Sequence, residues 1–410
     1  MYKPLPIESI ALNSPVPVHV WDPKGVLLLR KGDVIHSEQH RGMLMQHSPM
    51  VRESDWQTWM YSYTAELDRR VRMNAPLNHI AEVAPLGELN EPEARERDED
   101  PVDFWNDRHS VLSLLLHQAE TSQPVPPGPW LQRLASVAQP LVRWMERRPD
   151  DTLLLLVQML FDRQLPYSAS HALATAALGR LLAQPAGLSA SEMYALTHAA
   201  LTMNAGMARL QDELALQTAA PTEQQLAAIR AHPLASVAWL QGQGVHDPFW
   251  LALVEGHHQT AEGNGYPEGA WPQADTPLGK ALRLLQMADQ FVARISPRRS
   301  RPGFASADLA RALYLGPDGQ PDPLGALFVK VVGMYPPGSY VQLASGETAV
   351  VVRRGRRANA PTACAIAGKQ GMALGEPALR DTLNPQYEVR ASLNPTEVKV
   401  RVPMSKLLSR

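Results

Sequence analysis

Cysteine is nearly missing from the 410 residues: Cys364 stands alone. That excludes a disulfide scaffold and any cysteine-rich zinc or iron–sulfur site. Long apolar runs are missing too. The two greasiest stretches, Val111–Leu116 and Leu153–Val157, fall far short of the roughly 20 residues that cross a bilayer, so no membrane span is expected. The opening Met1-Tyr2-Lys3-Pro4-Leu5-Pro6 has no basic segment leading into an apolar one. It does not read as a signal peptide, and a reducing, cytoplasmic setting is expected. Neither sign of charge dominates: 39 Lys and Arg against 41 Asp and Glu leave a formal net charge of -2. Without a global positive field, no nucleic-acid partner is expected. Internal repeats and low-complexity tracts are also missing, which argues against a solenoid or a fibrous protein.

What is present is length, apolar content and proline. Hydrophobic residues make up 45% of the chain and 36 residues are proline, enough for two or three folding units with many helix stops. A β-rich N-terminal unit is expected over 1–58, where Val16–Trp21 alternates, Asp22-Pro23-Lys24-Gly25 turns, Val26–Leu29 forms a second strand and Gly32 turns again. A charged linker region over 59–102 contains the run Glu91–Pro101. A helical connector over 103–165 is expected as helices at 103–120 and 129–163, separated by Pro124, Pro126, Pro127 and Pro129. A helical domain over 166–335 carries start signals at Ser189-x-x-Glu192, Thr222-x-x-Gln225, Asp247-Pro248, Pro277 and Ser306. From 336 to 410 a β-hairpin extension and tail is expected: Ser339–Leu343, a Ser345-Gly346 turn, Ala349–Arg353, then a late strand at Val398–Val402. The fold class is mainly α.

Within the helical domain, polar side chains stand where helical spacing predicts packing. Leu282, Leu285, Asp289 and Val292 share one face. An unpaired carboxylate there would cost several kcal/mol, so Asp289 needs a cation, a metal or several donors. His171 lies on a face with Ala174, Leu178 and Leu182, and His232 on one with Ile229, Ser236 and Leu240; His257 and His258 end the helix that begins at Pro248. A lone histidine of this kind is most often a satisfied core residue. Five such positions on several helices suit a metal bound through nitrogen and oxygen, namely iron, manganese or zinc.

The block His257-His258-Gln259-Thr260-Ala261-Glu262-Gly263-Asn264-Gly265-Tyr266-Pro267 resembles the HH-E-x-x-D-G-x-G-Y-P signature of the HD-GYP family, a branch of the HD phosphohydrolases. The resemblance covers roughly 165–375. It implies an HD-type helical bundle, a centre of iron or manganese ions, and hydrolysis of the bacterial second messenger cyclic di-GMP. Tyr167-x-x-x-His171, His232-Pro233, His257, His258 and Asp289 match the family's metal-ligand landmarks in order, and Arg298 and Arg299 resemble the basic pair that follows. Gly263, Gly265, Tyr266 and Pro267 match the loop that shapes the site and contacts partners, diguanylate cyclases among them.

The pair that gives the family its name is altered. Where the family carries H-D-x-G-K, the sequence reads Met203-Asn204-Ala205-Gly206-Met207. Neutral Asn204 cannot offset two like-charged ions as a bridging carboxylate does, and the Met203 thioether suits a hard iron or manganese centre poorly. Gln259 and Glu262 also replace an acidic residue and an aspartate of the signature. His232, His257 and His258 would still hold one ion, iron or manganese ahead of zinc, or the site holds none. The expected function is therefore nucleotide sensing or partner binding in cyclic di-GMP signalling, through cyclic di-GMP, a diguanylate cyclase or another signalling protein, with little or no hydrolysis. The alternative is a metal-dependent phosphodiesterase that releases pGpG or GMP.

Overall fold

The computed structural model describes residues 2–52 without 6, 8–11, 14, 15, 17 and 24, and then 100–120, 127–269, 272–315, 319–401 and 403–408. The charge run Glu91–Glu99, Pro124, Pro126 and position 402 lie outside the described residues. Two compact units form, Met1–Asp100 and Pro101–Arg410.

Among the described residues of the first unit are a four-stranded antiparallel sheet and one helix. Its strands β1 (Tyr2–Pro4), β2 (Val20–Trp21), β3 (Leu27–Leu29) and β4 (Met50–Arg52) take the order β1-β4-β2-β3, and α1 spans Glu38–Gln46. Val18, Val20, Leu29, Ile35, Leu44 and Val51 close its core. The strand expected over Val16–Trp21 shortens to Val20–Trp21. Val16 instead bonds the turn at Gly32 and Asp33, donating to the Asp33 carbonyl and accepting from the Gly32 amide.

The second unit is a helical bundle followed by a sheet. Helices α2 (Pro101–His117), α3 (Pro127–Arg147), α4 (Pro149–Phe161), α5 (Tyr167–Ala183), α6 (Ala190–Thr202), α7 (Ala208–Leu216), α8 (Glu223–Gly242), α9 (Pro248–Gly256), α10 (Pro277–Ile295), α11 (Ser306–Tyr314) and α12 (Pro323–Val332) follow in order. The single helix expected over 129–163 is two helices. Pro149 at the first position of α4 has no N–H to continue the α3 ladder, so the chain breaks at Arg148. Both expected capping boxes form, at Ser189–Glu192 and Thr222–Gln225. Asp247 accepts from the Phe249 and Trp250 amides ahead of α9, and Thr276 caps α10. Ser306 is no cap: it sits inside the first turn of α11, where its hydroxyl meets Ser392 at 3.2 Å.

The run Leu153–Val157 finds its reason in α4, which is buried on both sides. Leu153, Leu155 and Leu156 join the helical core, while Leu154 packs on Val350, Val352, Cys364 and Ile366 of the sheet. That sheet is larger than the expected hairpin. β5 (Tyr340–Leu343) and β6 (Thr348–Arg357) pair around Ser345-Gly346 as anticipated. β7 (Ala360–Ala367), β8 (Ala373–Asp381) and β9 (Val389–Leu393) extend them to the antiparallel order β8-β7-β6-β5-β9. The strand expected at Val398–Val402 does not form over 398–401. Val398 and Val400 spend their side chains on the Leu154–Val350 cluster from an irregular segment instead. A short helix, α13 (Met404–Leu408), follows. Among the described residues no helix is long and apolar enough to cross a membrane.

Candidate metal centre

Three imidazoles converge where α8 meets the end of α9. One ligand atom each from His232, His257 and His258 lies within 4.8 Å of the other two. Local sequence explains how the first two are held. Residue 233 is proline, so the helix has no N–H to offer the Ile229 carbonyl four positions back. His232 fills that vacancy by donating Nδ1–H to Ile229 O at 2.5 Å. His257 does the same at a helix end, where terminal carbonyls lack intrahelical donors; its Nδ1 donates to Val254 O at 2.6 Å.

These two bonds fix the tautomers, because a carbonyl only accepts and each ring proton must therefore sit on Nδ1. The two Nε2 atoms then present lone pairs to each other at 3.0 Å. Burial first, and then the neighbouring imidazoles, push His232 down to about 4 and His257 well below the ordinary histidine range. Both rings are neutral at pH 7, and two facing lone pairs call for a cation between them. Burial lowers His258 as well, against the opposing pull of Asp289. The donor set fits a metal ion: three neutral imidazoles, two of them locked in the ligating tautomer by carbonyls behind them.

His171 and Asp289 form an adjoining pair. His171 on α5 is buried, and its Nε2 stands 3.2 Å from Asp289 Oδ1 on α10. Burial opposes ionisation of Asp289, but the His171 contact and the neighbouring His171, His258 and His257 rings outweigh it and hold the carboxyl well below the usual carboxylate range. His171 Nδ1 has no hydrogen-bond partner among the described residues.

Met203 and Asn204 are both buried in the turn after α6, and Met207 is half-buried. The Ser236 hydroxyl, one helical turn beyond His232, donates to Met203 O at 2.8 Å and accepts from the Gly206 amide at 2.9 Å. The turn is thereby tied to the helix that carries His232. Asn204 Oδ1 is buried without a hydrogen-bond partner among the described residues. His198, one turn earlier, is a packed core histidine, with its ring 3.9 Å from Tyr194 and 4.9 Å from Trp250.

The loop after His258 folds back on it. The Tyr266 amide donates to His258 O at 3.1 Å, and the Tyr266 ring lies 4.7 Å from the His258 ring. Gly265 is required there, because any Cβ would collide with the His258 carbonyl. Pro267 follows through a cis bond. Gly263 and Glu262 are exposed. Burial, with Asp289 nearby, pushes the Tyr266 hydroxyl up to about 12, so it remains a neutral donor.

The basic pair divides. Arg298 places its guanidinium 5.1 Å from the Tyr167 ring centre and donates to the Tyr167 hydroxyl at 3.3 Å, and Tyr167 in turn packs against His171 at 5.5 Å. Arg299 is exposed, held by its backbone amide to Ala215 O. Two supporting groups escaped the sequence reading. Gln286 is buried on α10 and donates to Gln259 O at 2.7 Å; its polar amide on the face of Leu282, Leu285 and Asp289 was the available signal. Asp212 accepts from Ser168 N at 2.6 Å and meets His117 Nε2 at 2.7 Å, capping α5 from outside. No local pattern announces a partner so distant in sequence.

No protein-family model matches the chain. A curated protein, cyclic di-GMP phosphodiesterase PA4108 of Pseudomonas aeruginosa, is 26% identical over 208 residues, covering 50% of this chain and 49% of that protein. The chain thus spans about half the length of the curated relative it matches. Among solved structures, Bd1817, an HDG"Y"P protein from Bdellovibrio bacteriovorus, aligns over 80% of this chain and 98% of that one, with a TM-score of 0.42 and 14% identity. The landmarks follow the order of the HD-GYP signature that the sequence resembles, and the curated relative is named as a cyclic di-GMP phosphodiesterase, the activity which that resemblance implies.

Proposed function

We propose that this is a degenerate HD-GYP protein of cyclic di-GMP signalling. It holds one iron or manganese ion on His232, His257 and His258, and acts by binding the dinucleotide or a signalling protein with little or no hydrolysis. The observation that carries this reading is the contrast between three convergent neutral imidazoles and the buried, uncharged Met203 and Asn204 in the turn tied to them through Ser236. A neutral carboxamide offers an oxygen but no charge, so a second cation beside the first would have Asp289 to offset it but no bridging carboxylate at position 204.

When bound, an ion supplies Lewis acidity, drawing charge from a phosphoryl oxygen and acidifying water. The chain's own groups do the rest. His232 and His257 present lone pairs fixed by the carbonyls behind them. Tyr266, kept protonated, is a donor for a phosphate oxygen beside His258. Asp289, kept ionised, orients His171. The alternative, a phosphodiesterase working with one ion, is favoured by the same three histidines.

Cyclic di-GMP is added to full-length protein loaded anaerobically with Mn(II) or Fe(II), with binding followed calorimetrically and products separated by chromatography. Saturable binding with the dinucleotide recovered intact supports the sensing reading. Steady release of pGpG that disappears in His257→Ala establishes the phosphodiesterase instead.

A further inference from the structure

His258 differs from its two neighbours in how it is held. His232 and His257 each anchor Nδ1 on a backbone carbonyl, whereas among the described residues His258 makes no such bond. Its ring packs on that of His257, 4.2 Å away, and, from the loop side, on the Tyr266 ring, 4.7 Å away and inclined by 35°. Tyr266 sits in an exposed loop, so something must hold that loop against the helices.

Two glutamines do this. Gln286, buried on α10 one turn before Asp289, donates to Gln259 O at 2.7 Å. The Gln259 side chain crosses the loop and donates from Nε2 to Pro267 O at 3.3 Å. Its carboxamide occupies a slot walled by glycines: a Cβ on Gly256 would stand 3.1 Å from its Oε1, and one on Gly269 would press on its Nε2. A glutamate at 259 has the same shape but, when ionised, no donor for Pro267 O.

We infer that Gln259 and Gln286 are positioning residues, a clasp that sets Tyr266 over His258 and so orients the third imidazole of the centre. Gln259 is then more than the loss of an acidic signature residue: the carboxamide supplies a donor that a carboxylate lacks. The inference rests on the proposed trihistidine metal site, and its consequences reach the ion only through ring orientation.

The test uses the full chain with Gln259→Glu and with Gln286→Met, a swap of similar size that removes the donor. Co(II) is titrated by visible spectroscopy, and amide hydrogen exchange of metal-free protein is followed over 259–269. The clasp predicts at least tenfold faster exchange at the Tyr266 amide in both variants. It also predicts roughly 10–100-fold weaker Co(II) binding with an altered ligand-field spectrum, while the metal-free melting temperature stays put. Unchanged exchange in both variants would overturn it. So would tighter Co(II) binding by Gln259→Glu, since position 259 would then be acting as a lost ligand. If the wild-type protein takes up no Co(II), the trihistidine reading fails on its own, and exchange at Tyr266 still decides the clasp.

Discussion

The two sides of the centre are built to different standards. Around His232, His257 and His258 every ring has a support: two donate to freed carbonyls and the third lies under Tyr266. Around His171 and Asn204 the supports are incomplete: Asp289 meets His171 Nε2, but His171 Nδ1 and Asn204 Oδ1 are both buried and unpartnered among the described residues. An unsatisfied buried polar atom costs roughly 1–3 kcal/mol. The first side is preorganised to hold a cation. The second has one ionised carboxylate, Asp289, beside His171, and an uncharged carboxamide at Asn204.

The largest expected effect breaks the well-built side. His257→Ala removes one ligand and the partner facing His232 Nε2, and should weaken Mn(II) or Fe(II) binding by more than 100-fold in an equilibrium titration. Next, the other side can be repaired. The double change Met203→His with Asn204→Asp should raise bound metal from one ion to two per chain on elemental analysis, and should lower the metal-free melting temperature by burying a new carboxylate.

Acid should separate metal-free from loaded protein. His232 titrates near 4 when folded against an ordinary 6.5, so between those values the unfolded chain binds more protons. Its contribution is intact above pH 6.5 and lost as pH falls toward 4, roughly 3 kcal/mol for this group. Urea denaturation across that range should show the decline in metal-free protein. The smallest effect comes from Pro233→Ala, which restores an N–H that competes with His232 for Ile229 O. Metal affinity should fall by less than about tenfold while the melting temperature rises, as read by titration and calorimetry.

The helical part of the fold was legible because caps and prolines are local. Thr222 with Gln225, Asp247 with Pro248 and Pro277 mark starts that need no distant partner. The candidate ligands showed themselves as polar residues on apolar faces, as at Asp289 beside Leu282 and Leu285. The C-terminal sheet was less visible. β8 is an edge strand that contains Pro377 and only weak alternation, which edges tolerate because one row of backbone groups needs no partner. Gln286, Ser236 and Asp212 act through contacts 27, 33 and 44 residues away in sequence, and such contacts leave no periodic trace.

The most direct test counts metal on the full chain after anaerobic loading with Mn(II) or Fe(II) and removal of excess, beside the same preparation of His257→Ala. One ion per chain in the wild type and none in the variant is the predicted result. Two ions per chain in the wild type, or none, would contradict the account.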